Sequence, residues 1–350
     1  MDIRAFAQKV LVAVGIVTGL ILLLLILWNI IQVLLLVFGG ILFAVFLRGT
    51  SSWLSQVTKL PIGISLFLVV LAVLSVIGIS FWRLGPSVAT QINELIDQMP
   101  QLVTHLKGQL EKHAWARGLV HQIPSPDEWV TNFSNILNEA RVFFSTTFGF
   151  LASSILILFV GLYLSANPEL YVEGIVRLVP HRRRHRTRQV LHTVGFTLHW
   201  WLIGRSFDMV LVGTMSGLGL WLLNIPLALT FGLLAGFLTF IPYIGPLVSA
   251  VPPILLALPM GSAPALYVIL LYIGIHTLDS YVVTPLVQQQ TVLLPPVLTL
   301  IVQIAFGMLF GLLGVLLATP LSAVGLVLVK MLYIEDVLKD VAKVGGGEPG

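Results

Sequence analysis

Eight long apolar runs leave this chain few ways to fold. Val10–Trp28, Ile30–Leu47, Leu60–Trp82, Val142–Leu164 and Leu198–Leu223 each supply about 18 or more largely apolar residues, the length a helix needs to cross a bilayer. Pro226–Leu258, Ala263–Pro285 and Val297–Leu332 continue the pattern. With 57% hydrophobic and only 10% charged residues, the chain has too little charge to solvate a globular surface of its size. Inside a bilayer every backbone polar group must be satisfied within the protein, and helices do that locally. The expectation is an all-α polytopic membrane protein of about eight hydrophobic helical segments.

Residues 1–82 are read as three transmembrane helices, the first two separated by little more than Asn29 and so folded as a tight hairpin. Arg4 and Lys9 precede the first run, which is long for a signal-peptide core and has no small-residue cleavage site behind it. It reads as an uncleaved span. Residues 83–141 form an extracytoplasmic insert. Val88, Ile92, Leu95, Met99, Leu102 and Leu106 recur at spacings of four and three, an amphipathic helix that Pro100 should kink. A second helix starts at Ser125-Pro126-Asp127-Glu128. The apolar stripe fits either an intermolecular seam or packing against that second helix or the membrane surface. Residues 142–197 hold the fourth span and a basic cytoplasmic segment, 198–332 a C-terminal transport core, and 333–350 a cytoplasmic tail.

Lys and Arg bias sets the orientation. Arg4 and Lys9, Arg48 and Lys59, the run Arg182, Arg183, Arg184, Arg186 and Arg188, and Lys330, Lys339 and Lys343 all fall on one side. Both termini are therefore expected in the cytoplasm. The arginine run reads as a lipid-facing basic cluster; nucleic-acid binding lacks the interleaved aromatics and a domain to carry them. The chain has no cysteine, which excludes disulfides, thiolate metal sites and cysteine nucleophiles. No Gly-x-x-x-x-Gly-Lys-Ser/Thr, His-Glu-x-x-His or Gly-x-Ser-x-Gly occurs, so neither an enzyme nor a cofactor or metal protein is expected.

The last third departs from simple spans. Pro226–Leu258 is too long for one crossing, and Phe240-Ile-Pro-Tyr-Ile-Gly-Pro246 interrupts it at membrane depth. Two prolines and a glycine free backbone groups there. Such a break survives only when buried in protein or lining a wet cavity, as in transporter sites. Val297–Leu332 is likewise punctuated by Gly307, Gly311 and Gly314, with Pro320 beyond. Two broken or re-entrant hairpins are expected to flank one full span, Ala263–Pro285. Eight plain crossings fit the charge bias equally; the two arrangements place the loop Gln288–Pro296 on opposite sides.

Ionisable residues within apolar segments are candidate sites. His276 and Asp279 share one helical face and could relay a proton or hold a cation; an ion pair near the end of the span accounts for them too. Arg205 and Asp208, also three apart, read as a structural ion pair. Gln303, opposite the glycine-rich break, could meet a polar solute, as could Asn224, which a turn explains equally well. The proposed transport path comprises Pro242, Tyr243, Gly245, Pro246, His276, Asp279, Thr284, Pro285, Gln303, Gly307, Gly311 and Gly314. Four glycine pairs, Gly15/Gly19, Gly213/Gly217, Gly232/Gly236 and Gly307/Gly311, have the spacing that lets helices approach closely. With 31 glycines such pairs arise by chance, and only the last coincides with another feature.

Four segments, in order, resemble the AI-2E family of membrane proteins, also called PerM-like permeases. They are Tyr163-Leu164 with Leu178-Val179-Pro180 and the arginine run; Leu202-Ile-Gly-Arg205 leading to Gly217-Leu-Gly-Leu-Trp-Leu222; Phe240–Pro246 with Pro252; and Asp279-Ser-Tyr-Val-Val-Thr-Pro285 followed by Leu294-Pro-Pro296, Phe310-Gly-Leu-Leu-Gly314 and Pro320. The resemblance covers about 160 to 330; the first 140 residues match in layout only. It implies a homo-oligomeric, pentameric transporter of a small molecule or ion, with membrane lipids as its other partners. Autoinducer-2 export is proposed for some members and monovalent cation/proton exchange for others. This chain has Asp279-Ser280-Tyr281 where many relatives carry Glu and Asn before the Thr/Ser-Pro. The expected function is secondary transport of a small solute such as autoinducer-2. The alternatives are Na+/Li+–proton antiport and, in another class, a non-transporting membrane scaffold.

Overall fold

The computed structural model describes residues 3–76, 78–79, 82, 104, 108, 147–283 and 295–339, and among them all regular structure is helical, with no strand. The chain is an all-α polytopic membrane protein. Among the described residues, Ile30–Thr58, Ser262–Tyr281 and Pro296–Glu335 are long and apolar enough to cross a membrane. Ser153–Ala166 and Pro168–Arg177 make a fourth if that pair, bent by 89°, is one span. The insert at 83–141 lies outside the described residues apart from Thr104 and Gly108, as do Thr284, Pro285 and most of the Gln-rich loop.

Helix α1 (Ile3–Thr58) corrects the hairpin expected at Asn29: it runs through that residue without a turn. No proline interrupts its sequence and the nearest glycines are Gly19 and Gly39, so one asparagine costs only its modest helix propensity. At 1.5 Å per residue the helix is about 84 Å long, well beyond a bilayer. Its second half packs, burying Leu35, Leu42 and Leu47. A short apolar helix, α2 (Ile62–Val76), follows.

Helix α3 (Thr147–Ala166) crosses α1 closely. A Cβ on Gly40 would stand 2.5 Å from Val160 Cγ1, and one on Gly161 2.5 Å from Phe43 Cδ1. Arg48 Nη1 donates to the Ser165 carbonyl at 3.4 Å, tying α1 to the end of α3. The chain then turns at Asn167, and Pro168 opens α4 (Pro168–Arg177), where a missing N–H is harmless.

After a 3-10 turn at His181–Arg183, α5 (Arg184–Leu222) forms the spine of the C-terminal part. It ends in a Schellman motif. Ile225 N–H reaches the Leu220 carbonyl and Asn224 N–H that of Trp221, both at 3.0 Å, with Asn224 left-handed at φ 54°. That geometry makes Asn224 a helix stop. Next come α6 (Ala228–Leu238), α7 (Ile244–Ala257), α8 (Ser262–Leu278) with a π-turn Asp279–Val283, and α9 (Pro296–Leu328) with a π-turn Val329–Glu335.

Two of the glycine pairs ascribed to chance meet one another. A Cβ on Gly232 would lie 2.6 Å from Gly217 Cα, and one on Gly236 2.7 Å from the Met209 carbonyl oxygen and 3.2 Å from Gly213 Cα. Helices α5 and α6 thus touch backbone to backbone, the approach small residues permit in membranes.

The arginines read as a lipid-facing cluster divide. Arg182 and Arg183 are exposed. Arg184 instead donates to the carbonyls of Val179 (3.1 Å) and Arg177 (3.2 Å), satisfying acceptors left over at the end of α4. Arg186 holds Glu335 (2.8 Å), Asp336 (2.9 Å) and the Met331 carbonyl (2.7 Å), tying the start of α5 to the end of α9. Arg188 pairs with Glu173 of α4.

Candidate functional site

The first break opens as α6 ends. Phe240 N–H and Ile241 N–H fall back on Phe237 and Leu238 carbonyls, and Ile244 N–H closes onto the Pro242 carbonyl at 2.7 Å. Tyr243 sits between them at φ 62°, ψ −51°, a γ-turn of positive φ, which is rare and strained for a residue with a side chain. Gly245 follows because any Cβ there would overlap the Leu238 carbonyl. Pro246 falls in the first turn of α7, among the N–H groups that have no helical partner anyway. The arms α6 and α7, about 16 and 21 Å by their residue counts, are each too short to cross alone.

The second break is at Gly311, whose φ 61° and ψ −146° belong to a region essentially reserved for glycine. The arms of α9 fold against each other about that point. Gln303 Nε2 donates to Thr319 Oγ1 at 3.3 Å. A Cβ on Gly307 would lie 2.8 Å from Val315 Cγ2, and one on Gly314 would overlap the Phe306 carbonyl. Gln303 is completely buried.

Both breaks lean on α5. The Phe240 ring stacks edge-on against Trp201, centroids 5.5 Å apart at 80°. Phe306, Phe310 and Leu313 pack on the same buried cluster of Trp201, Leu202 and Leu317, which includes Leu35 and Leu42 of α1.

Charge gathers beside the first break. Arg205 Nη1 holds Asp208 Oδ2 at 3.2 Å, with the side chains only 17% and 7% exposed. Arg205 is also within electrostatic reach of Asp279 and Tyr243. Asp279 starts the π-turn that ends α8, which packs on α5. The ion pair read as merely structural is thus one constellation with Asp279 and the Pro-Tyr-Ile-Gly-Pro turn. His276 lies one turn earlier on α8, and Tyr272 one turn before that, their rings 6.0 Å apart. Among the described residues, buried atoms with no hydrogen-bond partner mark this face: Asp208 Oδ1, Asp279 Oδ1 and His276 Nε2. Gln303 Oε1 is in the same condition in α9.

Of the residues singled out from sequence, Pro242, Tyr243, Gly245 and Pro246 form one break, and Gln303, Gly307, Gly311 and Gly314 the other. His276 and Asp279 border the first; Thr284 and Pro285 lie outside the described residues. Tyr272 was missed. Its signal was periodic: Tyr272, His276 and Asp279 share one face of α8, as Arg205 and Asp208 do of α5.

Helices broken at membrane depth around buried, incompletely paired charges define a polytopic protein of the transporter class. The model of the family described as AI-2E family transporter matches residues 17–334, and the chain belongs to that family. It is similar to YrrI of Bacillus subtilis (strain 168), 24% identical over 281 residues covering 76% of this chain and 77% of the relative. It is also similar to YhhT of Escherichia coli (strain K12), 25% identical over 312 residues covering 84% and 82%. A protein of Synechocystis, sll0060, is 26% identical over 302 residues, 81% of this chain and 80% of its own. All three are described only as candidate transport proteins.

Proposed function

We propose that this membrane transporter is a secondary one, moving a small polar solute such as autoinducer-2 across the bacterial inner membrane between its two broken helical segments. One observation carries the reading: the largely buried Arg205–Asp208 ion pair lies within electrostatic reach of a second buried carboxylate, Asp279, and of the strained turn at Tyr243. One guanidinium and two carboxylates in a low-dielectric setting leave one negative charge unbalanced, and a proton, a cation or a polar solute can balance it. Both termini are assigned to the cytoplasm on the Lys/Arg bias. The assembly is taken as a homo-oligomer, a pentamer by family resemblance, which the particle mass in detergent tests.

The test is flux of autoinducer-2 into proteoliposomes holding the purified protein. Wild type should move it, and Asp279→Asn should lose both the flux and its pH dependence. Unchanged flux in the variant removes Asp279 from the coupling role.

The same unbalanced carboxylate favours a second reading, monovalent cation/proton antiport. Addition of Na+ or Li+ to everted vesicles should then collapse a preformed pH gradient, and autoinducer-2 should not.

A further inference from the structure

Helix α4 has two unlike sides. Val176, only 1% exposed, faces inward where α4 packs on α5. Glu173, which pairs with Arg188 of α5, lies toward the same side, and so does Glu169. At about 100° per residue, Leu170, Tyr171, Gly174, Ile175 and Leu178 fall together on the other side. All five are exposed, Leu178 by 87%. Five adjoining apolar positions make a patch, and a patch marks a contact surface. Arg177 borders it with its side chain 74% exposed. Arg182 and Arg183, in the 3-10 turn that follows, are exposed and have no acidic partner among the described residues.

The bend at Asn167 sets α4 at 89° to the last part of α3. With 20 residues, about 30 Å by helical rise, α3 crosses the hydrocarbon without help from α4. A helix at right angles to a crossing helix runs close to the membrane plane. Ile155, Phe159 and Tyr163, each one turn apart on α3, form an exposed apolar stripe that ends one turn before the bend. We propose that α4 is an in-plane anchor at the cytoplasmic headgroups, with Arg177, Arg182 and Arg183 holding the phosphates of anionic lipids. Its apolar side would sink about 5–10 Å, to the start of the acyl chains.

Charge selects lipid over a second copy of the chain as the occupant. A protein surface covering the apolar residues would also shut in the guanidiniums beside them, at a cost unless each is paired. A headgroup layer receives both at once. Acyl chains take Leu170, Ile175 and Leu178, while phosphate oxygens accept the guanidinium hydrogens. Tyr171 suits the boundary, where its ring is in apolar surroundings and its hydroxyl is wet. The acidic side chains Glu169 and Glu173 are turned away from the phosphates. The site is also narrower than the arginine run, because Arg184, Arg186 and Arg188 are held by protein partners. Arg188 and Arg184 fix α4 against its neighbours, so the protein itself determines which side faces outward.

The chain has no cysteine, so one introduced cysteine carries a fluorescent bimane label at a single site. Gly174→Cys and Leu178→Cys put the label on the apolar side, and a Cβ at Gly174 meets nothing within 4 Å among the described residues. Glu169→Cys puts it on the other side. The labelled full chain is placed in liposomes of phosphatidylcholine and phosphatidylglycerol, with one lipid or the other brominated in its acyl chains. Labels at 174 and 178 should be quenched by brominated lipid, and by aqueous iodide at least about fivefold less than the label at 169. Brominated phosphatidylglycerol should quench them at least about twice as strongly as brominated phosphatidylcholine at equal mole fraction. Arg182→Gln with Arg183→Gln should remove most of that difference. The substituted residues are all exposed, and an unchanged particle mass in detergent checks that each variant is intact. Quenching by iodide alone puts the face in water, and quenching by neither agent puts it against protein, a second copy included. Either result overturns the proposal. Equal quenching by the two lipids overturns the anionic site.

Discussion

Gln303 and Thr319, sixteen residues apart with Gly311 midway between them, are joined side chain to side chain at 3.3 Å. That one bond shows that α9 is folded back at Gly311, since a straight helix would hold these residues about 24 Å apart.

Substitutions at the glycines of this fold should therefore rank by what each Cβ meets. Gly311→Ala meets nothing within 4 Å among the described residues but must hold a glycine-only backbone angle, and should cost about 1–3 kcal/mol. Gly307→Ala presses only a Val315 methyl and should cost less, while Gly314→Ala strikes the Phe306 backbone and should cost most. Thermal unfolding of the three variants in detergent gives the order; Gly307 as the worst of them would contradict the fold-back.

The contact between α5 and α6 predicts a second contrast. Gly232→Ala drives a methyl into the Gly217 backbone, whereas Gly274→Ala on α8 meets nothing within 4 Å among the described residues. The first should lose a few kcal/mol, and the second should be neutral or gain up to about 1 kcal/mol from helix propensity. The same unfolding assay checks both.

Arg205 should be costlier to remove alone than with its partner. Arg205→Ala leaves Asp208 without its guanidinium and Asp279 without a neighbouring cation, a loss of about 3–5 kcal/mol. Arg205→Ala combined with Asp208→Ala removes one of the stranded charges and should recover part of that loss. A double-mutant cycle measures the coupling, and simple additivity would mean that the pair does not interact.

Glu173 links α4 to α5 in a pH-dependent way. The hydrogen bond from Arg188, with further attraction from Arg188, Arg177 and Arg184 outweighing partial desolvation, holds its carboxyl below the usual glutamate range. A depressed folded value means the contribution is complete above the ordinary glutamate value and is lost as pH falls through the lowered one. Hydrogen exchange in α4 should accelerate over that acid window in wild type, and sooner in high salt, because the pair is exposed. Arg188→Ala should show little such dependence.

Much of this was legible beforehand. Pro242, Gly245 and Pro246 announce a break because their backbone chemistry is local, and Gly311 likewise. The run Ala263–Pro285 reads as one span because nothing polar interrupts it before His276. What sequence could not give is which faces meet. Gly213 and Gly217 become significant only opposite Gly232 and Gly236, and the Arg205–Asp208 pair only beside Asp279. The hairpin misread at Asn29 came from weighting one polar residue over the absence of proline around it. Arg186 was taken for a lipid anchor because its partners, Glu335 and Asp336, lie far along the chain.

The glycine contact between α5 and α6 also bears on the order of assembly. These helices are neighbours in sequence, joined by the stop at Asn224, and where their glycines meet there are no side-chain rotamers to be sorted. Contacts so close along the chain close fast. The pair can lock as soon as both helices have left the ribosome, giving the later, broken segments a finished wall on which to fold.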